Sequence, residues 1–324
     1  MASVSRLRTA IDDGLLVLPD GPVTVMRPPV EYDLAVLKAH DVRLMHSRYT
    51  AHAAATQAGY DVGTALAPCR TAIVVVPRAK ALARAMVAEA ADKADLVVID
   101  GAKTDGVDSL WTATRKVLGP LPSVTKDHGR IFWFEKTNAF ADWAAPPPAK
   151  GDHGFFTTAG VFSDGGVDKG SALLAAELPA KLPRRMADLG AGWGYLTDAV
   201  LQRDGVSSID LIEDEALALD CARMNVSDPR AQFHWADATR FLPDAPFDGI
   251  VMNPPFHTGR KGDTGLGQAF IAQAAKMLTP QGKLWMVANR HLPYEATLDA
   301  AFRHVAELPV SGGFKIFHAT RPRR

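Results

Sequence analysis

From Arg185 onward, short apolar runs alternate with stretches whose apolar residues recur every three or four positions. Arg185–Leu189, Ser208–Ile212, Gln232–Trp235, Asp248–Met252 and Gly282–Val287 read as strands, and Phe314–Ala319 as a last one. Tyr195–Arg203, Ala216–Met224, Leu266–Met277 and Tyr294–His304 read as helices. Strands that alternate with helices predict a mostly parallel sheet covered on both faces. Ligands of such sheets bind at the carboxyl ends of the strands.

The first half carries a fainter version of the same order. Thr71–Val76, Asp95–Ile99 and Arg130–Phe134 read as strands, Lys80–Ala91 and Ser109–Leu118 as helices. Ala72-Ile-Val-Val-Val-Pro77 resembles Gly249-Ile-Val-Met-Asn-Pro254, and Gly129-Arg-Ile-Phe-Trp-Phe134 resembles Gly313-Phe-Lys-Ile-Phe-His318. The shared order points to duplication. The fold class is therefore α/β, with two tandem Rossmann-like copies. Pro146, Pro147 and Pro148 cannot continue a helix or a central strand, so the boundary is placed there: residues 1–145 and 146–324.

Composition changes this picture little. The chain has 324 residues, 47% of them hydrophobic and 22% charged, which suits two globular domains. No apolar run approaches the roughly 20 residues that span a bilayer, so no membrane role is expected. Asp12 and Asp13 precede the short Leu15–Leu18 run, which suits neither a secretory signal nor a transit peptide. Cys69 and Cys221, one in each half, read as free thiols with no metal cluster around them, and a cytoplasmic location follows. Lys plus Arg and Asp plus Glu balance at 36 each, which argues against strong non-specific RNA binding.

Three motifs carry chemistry. Asp188-Leu-Gly-Ala-Gly-Trp-Gly194 lies between a strand and a helix, where a nucleotide-binding loop belongs. Gly190 and Gly192 permit tight backbone and close ligand approach. Glu213 closes the next strand, where a carboxylate accepts both ribose hydroxyls. A dinucleotide fingerprint wants glycine at position 195, which is Tyr195. S-adenosylmethionine (SAM) has no pyrophosphate to cradle, so the departure favours it over NAD. The competing reading is a plain strand-to-helix turn.

Asp237, just past the third strand, is placed to accept from an adenine amino group, or else caps a loop. Asn253-Pro-Pro-Phe256 follows the fourth strand. The side-chain oxygen of Asn253 and the carbonyl of Pro254 are two acceptors in a turn stiffened by proline. They suit an exocyclic amine on a planar ring, with Phe256 stacking on that ring. His257 touches substrate or packs. Arg260 and Lys261 are candidate phosphate contacts, and Lys315 is a further candidate substrate contact.

These residues resemble the ribosomal RNA guanine-N2 methyltransferases of the RsmC/RlmG type, more closely the RsmC kind. The resemblance covers about Gly160–Thr320. It rests on Gly160-Val-Phe-Ser-Asp-Gly-Gly-Val-Asp-Lys-Gly-Ser171, Asp188–Gly194, Asn253-Pro-Pro-Phe-His257, Val287-Ala-Asn-Arg-His-Leu-Pro-Tyr294 and the closing Gly313-Phe-Lys-Ile-Phe-His318. It implies tandem methyltransferase-like domains with a degenerate, non-catalytic N-terminal copy. It implies SAM as methyl donor and rRNA, or the small ribosomal subunit, as substrate for a monomeric enzyme. It also implies that Phe162, Asp168 and Gly170 cover the methionine end of SAM, with helix capping as the competing role for Asp168. Trp193 departs from the small or aliphatic residues frequent in that loop. The alternatives are adenine-N6 or protein glutamine-N5 transfer, a non-catalytic rRNA-binding or assembly factor, and an NAD-dependent oxidoreductase.

Overall fold

The computed structural model describes residues 5–255, 264–310 and 312–324. The chain divides into two compact units, Met1–Pro147 and Pro148–Arg324.

The first unit runs α1 (Arg6–Asp12), β1 (Val23–Met26), β2 (Val42–Met45), α2 (Tyr49–Gln57), β3 (Asp61–Gly63), β4 (Cys69–Val75), α3 (Lys80–Lys93), β5 (Ala94–Ala102), α4 (Val107–Leu118), β6 (Ser123–Lys126) and β7 (Gly129–Glu135). Its sheet has the order β3-β2-β1-β4-β5-β7-β6, with β7 antiparallel to both neighbours. Residues alternate between two cores. Ala72, Val74, Val97 and Ile99 pack against α3 and α4, while Ile73, Val98, Ile131 and Trp133 pack on the other face. Burial on both faces is why these strands read as continuous apolar runs.

The second unit opens with a two-stranded ribbon, β8 (Ala149–Lys150) and β9 (Phe156–Thr157). It continues with α5 (Lys169–Glu177), β10 (Arg185–Leu189), α6 (Tyr195–Leu201), β11 (Ser208–Glu213), α7 (Ala216–Asn225), β12 (Ala231–Trp235), β13 (Phe247–Met252), α8 (Thr264–Met277), β14 (Leu278–Asn289), α9 (Glu295–Ala301), β15 (Phe302–Leu308) and β16 (Phe314–Pro322). The sheet order is β12-β11-β10-β13-β14-β16-β15, strand for strand the order of the first unit. Along β14, Leu284, Met286 and Ala288 face the α8 and α9 side, and Trp285 and Val287 the α5 and α6 side. Among the described residues no helix is long and apolar enough to cross a membrane.

The pairs of similar segments lie on matching strands but one residue out of register: Met26 pairs with Val74 and Leu189 with Met252, so Val74 rather than Val75 matches Met252. Ala72–Pro77 and Gly249–Pro254 run along and past β4 and β13, the fourth strand of each sheet, and Gly129–Phe134 and Gly313–His318 follow β7 and β16. One expectation is corrected. The helix expected over Tyr294–His304 stops at Ala301, and Phe302–Leu308 pairs antiparallel with β16 as an edge strand. Phe302, Val305 and Leu308 recur every third residue, a spacing that imitates a helix face, yet their exposed neighbours belong to a strand with one open edge. The elements before Thr71 escape the sequence reading because β1 and β2 are four residues each and β3 is three.

Gly267 on α8 faces the fully buried ring of Tyr294, and a β-carbon there would collide with the phenol. Alanine gains about 1 kcal/mol of helix propensity over glycine. Overpacking a rigid core costs about 1–3 kcal/mol. Gly267→Ala is therefore expected to lower the thermal unfolding midpoint; an equal or higher midpoint would mean that Tyr294 can give way.

Candidate active site

A cleft opens at the carboxyl ends of β10 and β13. Phe162, Ser163, Asp168, Ser171, Gly190, Ala191, Gly192, Trp193, Tyr195, Leu196 and Asn253 line it.

The glycine loop forms its floor. Gly190 and Gly192 have φ of 71° and 55°, where a side chain is strained. The loop is hooked onto β11: the amides of Gly190 and Ala191 donate to the Ile212 carbonyl at 2.9 and 3.3 Å. The amide of Gly192 donates to Glu213 Oε2 at 2.7 Å, and that of Glu215 to Oε1 at 2.8 Å. Each oxygen of Glu213 keeps a lone pair for a ligand. Asp188 is fully buried. Its Oδ2 accepts from Thr197 Oγ1 at 2.8 Å, and its Oδ1 has no partner among the described residues. Burial pushes both carboxyls up to about 7, and the proximity of Glu213 adds to the rise at Asp188.

Asn253 sits one residue past the end of β13. Its Nδ2 donates to Asp168 Oδ1 at 2.9 Å and to Ser171 Oγ at 2.8 Å. A carboxylate only accepts, so the amide nitrogen must face it. That leaves Asn253 Oδ1 as a buried acceptor with no partner among the described residues. Pro254 follows, buried, and Pro255 is exposed.

The wall of the cleft is fastened by Trp193, noted in the sequence only as a departure, and by His153, Phe155, Phe156 and Asn225, which the sequence does not single out. Trp193 Nε1 donates to the Phe162 carbonyl at 2.9 Å. Its indole stacks on His153 and packs against Phe155 and Tyr195. Asn225, at the end of α7, grips Phe156 through both backbone groups and donates to the Trp193 carbonyl. The departure at Trp193 thus has a cause: a large side chain ties the 155–162 segment to the glycine loop. Ser171 is legible only as the third residue of a helix capped by Asp168, whose Oδ1 accepts from Ser171 N at 2.9 Å.

Of the expected site residues, Phe162, Asp168, Gly190, Gly192 and Asn253 meet at the cleft, and Asp188 and Glu213 lie directly beneath its loop. Three are placed otherwise. Gly170 is buried inside α5, where a β-carbon would crowd the Phe314 ring at 3.0 Å, so it serves packing. Asp237 Oδ1 accepts from the Thr239 amide and hydroxyl at 2.8 and 2.6 Å, closing its own loop outside the cleft lining. Lys315 is buried, ion-paired with Glu295 and donating to the Leu292 carbonyl at 3.3 Å. Its ammonium ties β16 to the α9 end, a contact that competes with the expected substrate role. Phe256, His257, Arg260 and Lys261 lie outside the described residues.

The first unit has no counterpart of this arrangement. β1 ends at Met26, followed by Arg27-Pro28-Pro29 where β10 is followed by the glycine loop. Glu213 is the residue after Ile212, the partner of the last residue of β10; the equivalent residue after Met45 is His46. The His46 ring is hydrogen-bonded to the Pro28 carbonyl, and Arg27 to Ser47.

Comparison with known proteins agrees with this geometry. The methyltransferase small domain family matches residues 152–318. The ribosomal RNA small subunit methyltransferase C of Hahella chejuensis is 32% identical over 261 residues, covering 76% of each chain. Its namesake in Shewanella sp. (strain MR-4) is 34% identical over 160 residues, which is 49% of this chain and only 46% of that relative. Among solved structures, the T. thermophilus 16S rRNA N2 G1207 methyltransferase (RsmC), in complex with AdoMet and guanosine, matches with a TM-score of 0.80 and 26% identity, over 95% of this chain and 90% of that one. The chain belongs to the methyltransferase small domain family, among the RsmC-type ribosomal RNA methyltransferases.

Proposed function

We propose that this protein transfers a methyl group from SAM to the exocyclic N2 amine of a guanine in 16S rRNA. The observation that carries the reading is Asn253 Oδ1: a buried acceptor on a cleft-lining side chain, fixed in direction and without a partner among the described residues. Leaving such a group unsatisfied is costly, and a ligand donor repays the cost.

The residues fit SAM. The backbone of Gly190 and Gly192 allows close approach, Glu213 offers its remaining lone pairs to ribose hydroxyls, and Asp188 Oδ1, without a partner among the described residues, leaves a further polar atom beneath the loop. When bound, SAM supplies an electrophilic methyl on a sulfonium. Asn253 Oδ1 and the Pro254 carbonyl accept the two amine hydrogens. The nitrogen lone pair is thereby turned out of conjugation and held toward the donor, and the proton shed on methylation leaves to solvent. The chain's contribution is positioning rather than base catalysis. A paired guanine has its amine engaged, so the base must be unpaired or flipped, with Phe256 as the stacking surface. Arg260, Lys261 and His257 are proposed RNA contacts. In the T. thermophilus relative the bound nucleoside is guanosine, which favours guanine over adenine here.

We take the first unit to be a degenerate copy without catalytic function, and the protein to act as a cytoplasmic monomer. His46 in place of a carboxylate, and Arg27-Pro28 in place of the glycine loop, support the first point.

Methyl transfer to undermethylated small subunits, and to rRNA extracted from them, followed by nucleoside mass spectrometry, should yield N2-methylguanosine. N6-methyladenosine would overturn the base, and methylated glutamine without RNA product would overturn the substrate class. Asn253→Ala should lower kcat by roughly a hundredfold or more while SAM affinity stays within several-fold. Glu213→Ala should weaken SAM binding by roughly 10–100-fold, measured by calorimetry; unchanged affinity removes the ribose assignment.

The two raised carboxyls also set a pH dependence. Between about pH 4 and 7 each of these two carboxyls holds more proton in the folded ligand-free protein than in the unfolded chain, so together they lower stability as pH rises through that window. The unfolding midpoint of the free protein should drop from pH 5 to 8, less steeply in Asp188→Asn. A midpoint rising over that range in wild type, or a slope equal in both, would contradict the buried carboxyls as its source.

A further inference from the structure

The segment 162–171, the cover segment expected over SAM, and the Asn253-Pro254 turn proposed to receive the amine share one hydrogen-bond node. Asp168 Oδ1 accepts twice, from Ser171 N as the cap of α5 and from Asn253 Nδ2. Ser171 Oγ takes the other hydrogen of Asn253 Nδ2. Both hydrogens of that amide are thereby spent inside the protein. Both bonds to the Asp168 carboxylate fall on Oδ1, and Oδ2 belongs to the same cleft-lining side chain.

A carboxamide is nearly symmetric in shape but opposite in polarity at its two ends. Turned over, Asn253 would present N–H donors to an incoming amine instead of an acceptor. Nothing about Asn253 itself forbids that orientation; its neighbours decide it.

The geometry points to Asp168 and Ser171 as positioning residues that fix the orientation of Asn253, with Asp168 dividing its carboxylate between two tasks. Oδ1 polarises the acceptor site, and Oδ2 is left for the cofactor side of the cleft. The inference rests on the proposed role of Asn253. It departs from a purely cofactor-binding or purely helix-capping Asp168. It also makes the cover segment part of amine recognition: the residues that close over one substrate aim the group that receives the other.

Three variants separate these roles, assayed with labelled SAM and undermethylated small subunits. Ser171→Ala keeps the backbone cap and removes one anchor; kcat should fall about tenfold, with SAM affinity, substrate KM and unfolding midpoint near wild type. Asp168→Ala removes the charged anchor and the cap; kcat should fall about a hundredfold even at saturating SAM. Asp168→Asn retains one oxygen able to accept from both Ser171 N and Asn253 Nδ2, so it should restore kcat to within several-fold of wild type, any residual defect appearing in SAM affinity. Wild-type kcat in both alanine variants at saturating SAM would overturn the proposal. So would losses confined to SAM affinity, or an Asp168→Asn variant as slow as Asp168→Ala. Asn253→Ala run alongside tells apart the two levels: if it turns over normally, the acceptor role itself fails; if it is inactive while Ser171→Ala and Asp168→Ala are normal, only the positioning role fails.

Discussion

The glycine loop can hold its shape only because the neighbouring strand gives its amides somewhere to go. Three consecutive N–H groups, of Gly190, Ala191 and Gly192, end on Ile212 and Glu213 of β11. A loop with positive φ at Gly190, Gly192 and Gly194 is entropically expensive, and it stays ordered because these three donors are matched. From that match the rest of the site follows. α6 starts where the loop stops, Thr197 reaches back to Asp188, and Trp193 is pointed at the cover segment. The carboxylate that anchors the loop is the one proposed to hold the ribose hydroxyls, which would couple loop order to cofactor recognition.

The two units show how little of a fold such a site needs. Their strand orders are identical, and in both, apolar residues alternate between two buried faces. The differences gather at the carboxyl ends of the first, second and fourth strands. There Arg27-Pro28, His46 and Val75-Val76 stand where the second unit has its glycine loop, Glu213 and Asn253-Pro254. Packing constrains strand interiors through volume and burial, whereas strand ends answer only to what must bind there.

Legibility in the sequence divides along the same line. The parallel strands of the second unit were readable because burial on both faces makes each a continuous apolar run, as in Ile250-Val251-Met252. The glycine loop and Asn253-Pro254 were readable because strained or stiffened backbone demands particular residue types. Edge strand β15 was not, since its few apolar contacts fall at helical spacing. The fates of Lys315, Gly170 and Asp237 were not readable either. Each depends on a partner far away or on the local course of a loop: Glu295 for the lysine, Phe314 for the glycine, Thr239 for the aspartate. The links from Asn253 to Asp168 and Ser171 cross more than eighty residues, and no local pattern encodes them.

Trp193 has a consequence of a different kind. Of six tryptophans in the chain, it is the one that lines the cleft, with its indole stacked on His153 and its N–H tied to the cover segment. An indole so placed is a built-in optical reporter. Its emission depends on the polarity and stacking around it, both of which change when the cleft fills. The native fluorescence of the unlabelled protein therefore carries a signal of cleft occupancy, localised to one side chain by comparison with Trp193→Phe.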